Sequence, residues 1–212
     1  MALRLIGDSP ALVHARCVVG ATRTGVESYF FEPIAHHMYA GDSALHMAAA
    51  GFRPDISQAL IDKGADLSAK NRRGAEPLHY AADANAWNPG AQAATIDCLI
   101  RAGADPNATD KSGVPPVHRA VRTRSAAAVA ALLAGGAEPR SRNNSGSTPL
   151  HLAVQNTGRG DSGTPQAVEQ QRQIIELLLG AGAQPDDKDA NGKTVRDAAR
   201  AEWIHALLGE RA

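Results

Sequence analysis

The sequence predicts an all-α solenoid in which short helix pairs stack in one direction and a projecting hairpin loop joins each pair to the next. Two in-phase landmarks predict it. Four segments place glycine five residues before histidine, ending at His46, His79, His118 and His151, with intervals of 33, 39 and 33 residues. A second landmark recurs downstream of each, as Leu60-Ile61 before Gly64, Leu99-Ile100 before Gly103, Leu132-Leu133 before Gly136 and Leu178-Leu179 before Gly182. Composition agrees: 42 of 212 residues are Ala and only eight are aromatic, so the core is built from small and aliphatic side chains that let helices approach closely.

Residues 1–40 carry no copy of the signature, although Gly7-Asp-Ser-Pro-Ala-Leu12-Val-His14 loosely echoes Gly41-Asp-Ser-Ala-Leu-His46, and Tyr29-Phe30-Phe31 holds three of the aromatics. They read as an N-terminal helical cap, since a terminal unit must cover the open end of the stack; a disordered or separately folded segment is the alternative. The units then run 41–73, 74–112, 113–145 and 146–191, with a degenerate capping unit at 192–212 that has Asp197 in the histidine place and closes with Trp203-Ile204 and Leu207-Leu208. All form one continuous domain.

Within a unit, Pro77, Pro116 and Pro149 enter the first turn of a short first helix, where a missing N–H and a fixed φ do no harm. Ile56 with Leu60-Ile61, and the matching residues of later units, write one apolar face of a second helix. Gly64, Gly103, Gly136 and Gly182 stop that helix, because glycine takes the left-handed cap without a Cβ penalty.

The signature Gly-x-Thr-Pro-Leu-His-x-Ala, complete at Gly146 and recognisable at Gly41, Gly74 and Gly113, resembles the ankyrin repeat over residues 41–208. Ser43 and Ala44 depart from it in the first unit, and Glu76 and Pro115 take the Thr place in the second and third. The resemblance implies an ankyrin-repeat solenoid with projecting β-hairpin loops, and a structural role for His46, His79, His118 and His151 in tying the turn to the neighbouring loop.

Two units exceed the period between their first and second helices, by six residues around 83–92 and by 13 around 155–168. Gly and Pro keep the second insertion a loop through Pro165, so its lengthened helix is expected from Gln166. Both insertions are expected on the edge opposite the hairpins.

Lys+Arg 22 balances Asp+Glu 22, so bulk charge draws the chain to neither nucleic acid nor membrane. Cys17 and Cys98 form no metal-binding pair, and no run of apolar residues is long enough for a signal or a membrane span, which points to a cytoplasmic protein. The four in-phase histidines would stand about 10 Å apart along a stack, too far for one ion. His14, His36, His37 and Cys17 offer a weaker metal set, so no metal and no cofactor is expected. Cys98 beside Leu99 reads as packed core. Arg159-Gly160-Asp161 and Gly160-Asp161-Ser162-Gly163 match an adhesion tripeptide and a protease segment, but in a Gly-rich insertion without an oriented base they are coincidences.

Function is read from the concave face. Hairpin tips supply Lys70, Arg72, Arg73, Lys111, Arg140 and Arg142, while Met47, Tyr80, Arg119 and Leu152 follow the signature histidines. Between 110 and 146, six cations (111, 119, 122, 124, 140, 142) face two anions (110, 138), a surplus of four. A non-enzymatic, monomeric protein-interaction module is expected, whose protein partner carries acidic and apolar groups. Tyr80 and Arg119 are the anchors, and Arg119, Arg122, Arg140 and Arg142 converge on one groove. The alternative is a small-ligand binder or enzyme with a site in the N-terminal cap or near the insertions, drawing on Tyr39, His36, His37 and Trp87. A closed pocket holding His36 or Trp87 beside polar groups would favour that alternative.

Overall fold

The computed structural model describes residues 11–22, 29–83, 88–155 and 164–209. It begins with α1 (Ala11–His14), β1 (Phe30–Phe31), a 3-10 turn (Glu32–Ile34) and β2 (His36–His37). Five helix pairs follow. They are α2 (Ala44–Ala50) with α3 (Pro54–Asp62), α4 (Pro77–Ala82) with α5 (Pro89–Arg101), α6 (Pro116–Arg122) with α7 (Ala126–Ala134), α8 (Pro149–Ala153) with α9 (Pro165–Gly180), and α10 (Val195–Ala198) with α11 (Glu202–Leu208). First helices pack on first helices from α2 to α10, and second helices on second helices from α3 to α11.

The core is two columns of equivalent residues. Leu45, Leu78, Val117 and Leu150 form the first, one position before each signature histidine, and Leu60, Leu99, Leu132 and Leu178 form the second; all are fully buried. Each such side chain contributes roughly 1.5–3 kcal/mol through removal from water, and Ala48, Ala81, Ala120 and Ala153 between them let the helices close. The second helices end as the glycines require. At Gly64, with φ of +84°, the Gly64 and Ala65 amides donate to the Ile61 and Leu60 carbonyls, and the same pair of bonds recurs at Gly103, Gly136 and Gly182.

Each hairpin is a tight turn held by one Asx side chain. The amides of Asn71, Asp110, Asn143 and Asp189 donate to the carbonyls of Ala75, Val114, Ser147 and Lys193. The side-chain oxygens of the same four residues each accept two further amides across the turn, for example Arg73 and Ala75 on Asn71. Successive tips are joined by backbone bonds as well, because the amides of Arg72, Lys111, Asn144 and Ala190 reach the carbonyls of Ala40, Arg73, Ser112 and Ser145.

Residues 11–40 differ from the helical cap expected. Among the described residues the helix there is one α-helical turn and the 3-10 turn, and the rest is non-helical chain. Cys17 exchanges two backbone bonds with Gly41 and Asp42, and Ala21 donates to Met38. This strand-like segment takes the place a preceding hairpin would occupy, and Gly20 lets it lie close: a Cβ there would come within 2.6 Å of the Tyr39 and Ala40 backbone. Leu12, Val18, Val19, Phe30 and Phe31 remain exposed, so the segment covers the first pair only in part.

The insertions also differ in detail. Asn88 caps α5 through its side chain and Pro89 starts that helix, so the end of the first insertion is helical. Thr164 caps α9, which starts at Pro165, one residue before the position expected. Residues 84–87 and 156–163, including Trp87 and the Arg159 to Gly163 coincidences, lie outside the described residues, as do the insertion tips whose edge was predicted.

Candidate functional site

The signature histidines link units. His46 accepts the Ser43 amide at Nδ1 (3.1 Å) and faces the Ala75 carbonyl of the next unit at Nε2 (3.1 Å). His79 does the same with the Glu76 amide and Val114 carbonyl, and His151 with the Thr148 amide and Lys193 carbonyl. A carbonyl only accepts, so Nε2 carries the proton and the ring is neutral. Burial lowers the pKa of His46 and His118, and takes that of His79 to about 4 with help from the Arg119 charge. Asp197 in the last unit keeps the local half of this pattern, accepting from the Thr194 amide and hydroxyl. Among the described residues no group of three or more His, Cys, Asp or Glu is arranged to hold a metal ion.

The two residues expected as exposed anchors are buried. Tyr80 is 2% exposed and Arg119 is 5% exposed. Tyr80 donates its hydroxyl to Asp42 (2.8 Å), and Asn71 donates to both, closing a buried triad that joins the first two units. Burial and the Asp42 charge push the Tyr80 hydroxyl well above the ordinary tyrosine range. Arg119 holds two carboxylates at once, Asp83 at 2.7 Å and Asp110 at 2.8 Å. Burial works against its charge, but the two carboxylates outweigh that and raise its pKa; Asp110 is held below the usual carboxylate range despite burial by Arg119 and the Ser112 and Val114 amides.

The convergence of four arginines is not found either. Arg122 leans on Asp83 at 3.4 Å beside Arg119. Arg140 and Arg142 turn to Asp187 in the next hairpin, at 2.7 and 3.5 Å, and Arg142 also donates to the Gly146 and Lys188 carbonyls. The apparent surplus of four is halved by Asp83 and Asp187, which lie outside the window counted and come from neighbouring units. Lys70 pairs with Glu76 at 3.6 Å. What remains is Arg72, Arg73 and Lys111, exposed on two adjacent hairpins and without a carboxylate partner among the described residues. Arg72 donates to the Ala21 carbonyl, and Arg73 lies over the Tyr39 ring at 5.2 Å while donating to its hydroxyl.

Sequence reading passed over the partners that organise this face. Asn71, Asp110, Asn143 and Asp189 each stand three residues before the next unit's signature glycine and were legible by that spacing. Gln92 and Gln171 each stand 11 residues before the glycine that ends their helix, and each donates to a carbonyl at the end of the first helix, Ala81 and Ala153, closing the lengthened connection in both insertion-bearing units.

A polar cavity of about 110 Å³ lies under β2, walled by His36, His37, Tyr39, Asn71, Arg73 and Arg119. It holds His36 beside polar groups, as the ligand-binding alternative required, but it is far below the ~300 Å³ at which sites for drug-sized ligands begin. Grooves of about 450 and 720 Å³ run between second helices on the other side.

Family models match where the geometry repeats. A model described as Ankyrin repeats (3 copies) matches residues 86–189, and one described as Ankyrin repeat matches residues 40–72. The stretch between them holds α4, whose His79 link repeats those of both neighbours and whose Pro77 start repeats that of the next first helix. Five stacked helix pairs, four of them with a forward-reaching histidine and three of those histidines within the residues that the models match, place the chain in the ankyrin repeat family.

Proposed function

We propose that the chain is a non-enzymatic protein-binding module whose partner lays acidic groups along the hairpin tips of the first two units, next to the row of first helices. Ankyrin repeats in general serve protein–protein interaction. The observation that supports this particular surface is the set Arg72, Arg73 and Lys111, cations without local carboxylates where Arg119, Arg122, Arg140 and Arg142 each already lean on a carboxylate. Exposed Arg and Lys of this kind steer an acidic partner and raise its association rate more than they add to affinity. Arg122, Arg140 and Arg142 stand at the rim, with their charges partly engaged, and Tyr80 and Arg119 support the face from beneath. With no helix among the described residues long and apolar enough to cross a membrane, the partner is sought in the cytoplasm.

The test is affinity capture at low salt with three baits, followed by binding kinetics on what is retained. The wild type and Arg101→Glu, which changes charge on a second helix, should retain the same protein, and Arg73→Glu/Lys111→Glu should lose it. Association that is equally fast for the double variant at low salt would refute this surface.

A further inference from the structure

The cavity under β2 has a hydrogen-bonding pattern that its own walls do not complete. His36 is 9% exposed, and its Nδ1 lies 2.7 Å from the His37 carbonyl oxygen. Because a carbonyl only accepts, Nδ1 carries the proton and a neutral ring leaves a lone pair on Nε2. Burial favours that neutral form. Among the described residues Nε2 has no partner, and His37 Nδ1 in the same wall is buried without one. The ring itself is fixed, with its centroid 4.3 Å from that of Tyr80.

Donors line the same cavity. The Tyr39 hydroxyl accepts from Arg73, so its own proton is free to be given, and Arg73 has further N–H groups at the mouth. The deeper polar groups are already committed: Tyr80 gives its proton to Asp42, and Arg119 is shared between Asp83 and Asp110.

We infer that the cavity is a socket for a primary carboxamide, the end of an asparagine or glutamine side chain presented by the bound partner. The amide N–H₂ would donate to His36 Nε2 and the amide oxygen would accept from Tyr39 and Arg73. A carboxylate would set lone pairs against the His36 lone pair, and an ammonium would meet Arg73 and Arg119, while the carboxylate of the lining, Asp83, is already held by Arg119 and Arg122. A volume of about 110 Å³ admits a group of this size and little more. That the carboxamide comes from a protein rests on the binding role proposed above; the chemistry of the socket does not.

The experiment uses the full chain with ¹⁵N-labelled histidine at pH 7.5, titrated with acetamide, acetate or methanol and read by NMR at the imidazole nitrogens. Acetamide should shift His36 Nε2 saturably, and acetate and methanol should not. His36→Phe keeps the ring against Tyr80 and removes the acceptor, while Tyr39→Phe removes the phenol donor. Each should weaken acetamide binding about fivefold to tenfold, the effect of one lost hydrogen bond, read in His36→Phe at the imidazole nitrogens of His37 in the same cavity wall, with unchanged His79 resonances reporting an intact fold. No saturable shift in the wild type, an equal shift with acetate or methanol, or undiminished binding in both variants would overturn the socket. Loss of the socket alone would leave the charge-reversal result standing, and the reverse outcome would leave the socket standing.

Discussion

Pro115 leaves His118 half-paired. The ring reaches forward to the Ser147 carbonyl through Nε2 at 2.9 Å, but Nδ1 is buried with no partner, because the residue that would offer it an amide proton is a proline. In the units at His46, His79 and His151 that proton comes from Ser43, Glu76 and Thr148.

Pro115→Thr should therefore stabilise the protein. Thr148 holds the same backbone conformation, φ −85° and ψ 166° against −80° and 164° at Pro115, so the new amide needs no backbone movement. One hydrogen bond contributes about 0.5–1.5 kcal/mol, offset in part by the proline's restriction of the unfolded chain. Urea denaturation should show a higher midpoint; a midpoint lowered by more than the proline effect would contradict the pairing.

His118→Ala should cost about 1–3 kcal/mol, through the bond to Ser147, with no change in metal content. Thermal unfolding with metal analysis decides it. Stoichiometric metal in the wild type that disappears in the variant would overturn the linking role of the ring.

Arg119→Ala should be among the most destabilising single changes, because it leaves Asp110, with its side chain 7% exposed, without a cation and Asp83, 13% exposed, with Arg122 alone at 3.4 Å. Removing one member of a buried ion pair costs about 3–5 kcal/mol. Arg119→Lys should fail to restore it, since one ammonium does not reproduce a planar fork that spans two carboxylates. Equal urea midpoints for wild type and alanine variant would show that the pair carries no net stability.

Arg124→Gly should stabilise. Arg124 sits at φ +59°, a conformation that costs a residue with a Cβ about 1–2 kcal/mol, and its guanidinium has a buried Nη1 without a partner. Glycine removes both penalties, against its own entropy cost of about 0.5–1 kcal/mol. Differential scanning calorimetry should show a modest rise in Tm, and a fall would locate a favourable contact of Arg124 that outweighs the strain.

Stability should decline as pH falls from about 6.5 to about 4. His79 titrates near 4 in the folded protein and near 6.5 when unfolded. Over that interval the unfolded chain binds a proton that the folded chain does not, so stability present above about 6.5 is lost on acidification and levels off below about 4. A gap that wide corresponds to about 3 kcal/mol, and His36, His46 and His118 are displaced in the same direction. Urea midpoints at pH 7.5, 5.5 and 4.5 should descend in that order. A midpoint that rises between 7.5 and 5.5 would mean the rings are charged in the fold.

The sequence disclosed whatever is decided inside one unit. Gly64 and its equivalents, Pro77 and its equivalents, and the leucine columns are each dictated by local backbone conformation or by the period of one helix, so they could be placed in advance. Tyr80 and Arg119 could not, although they were named. Their burial depends on Asp42, Asp83 and the segment carrying His36, which come from 36 to 44 residues away in the chain and from other units. A charge count along the chain treats Arg140 and Asp187 as unrelated, yet the stack puts them 2.7 Å apart. Among the described residues of 11–40 the helical reading failed for a related reason: the chain around Cys17 to Ala21 is held by pairing with Met38 to Asp42, and nothing in its own pattern of apolar residues announces it.

The histidine links give the array a grammar of order. Each ring speaks to the unit that follows, from His46 to Ala75, His79 to Val114, His118 to Ser147 and His151 to Lys193. Asp197, an acceptor when ionised, has no ring proton with which to continue the sentence. The units are thus not interchangeable beads. A shuffled protein that moved the last one into the interior would contain a junction with no forward proton, and one that moved the third to the end would strand a donor, so the succession of units is itself a chemical property of the chain.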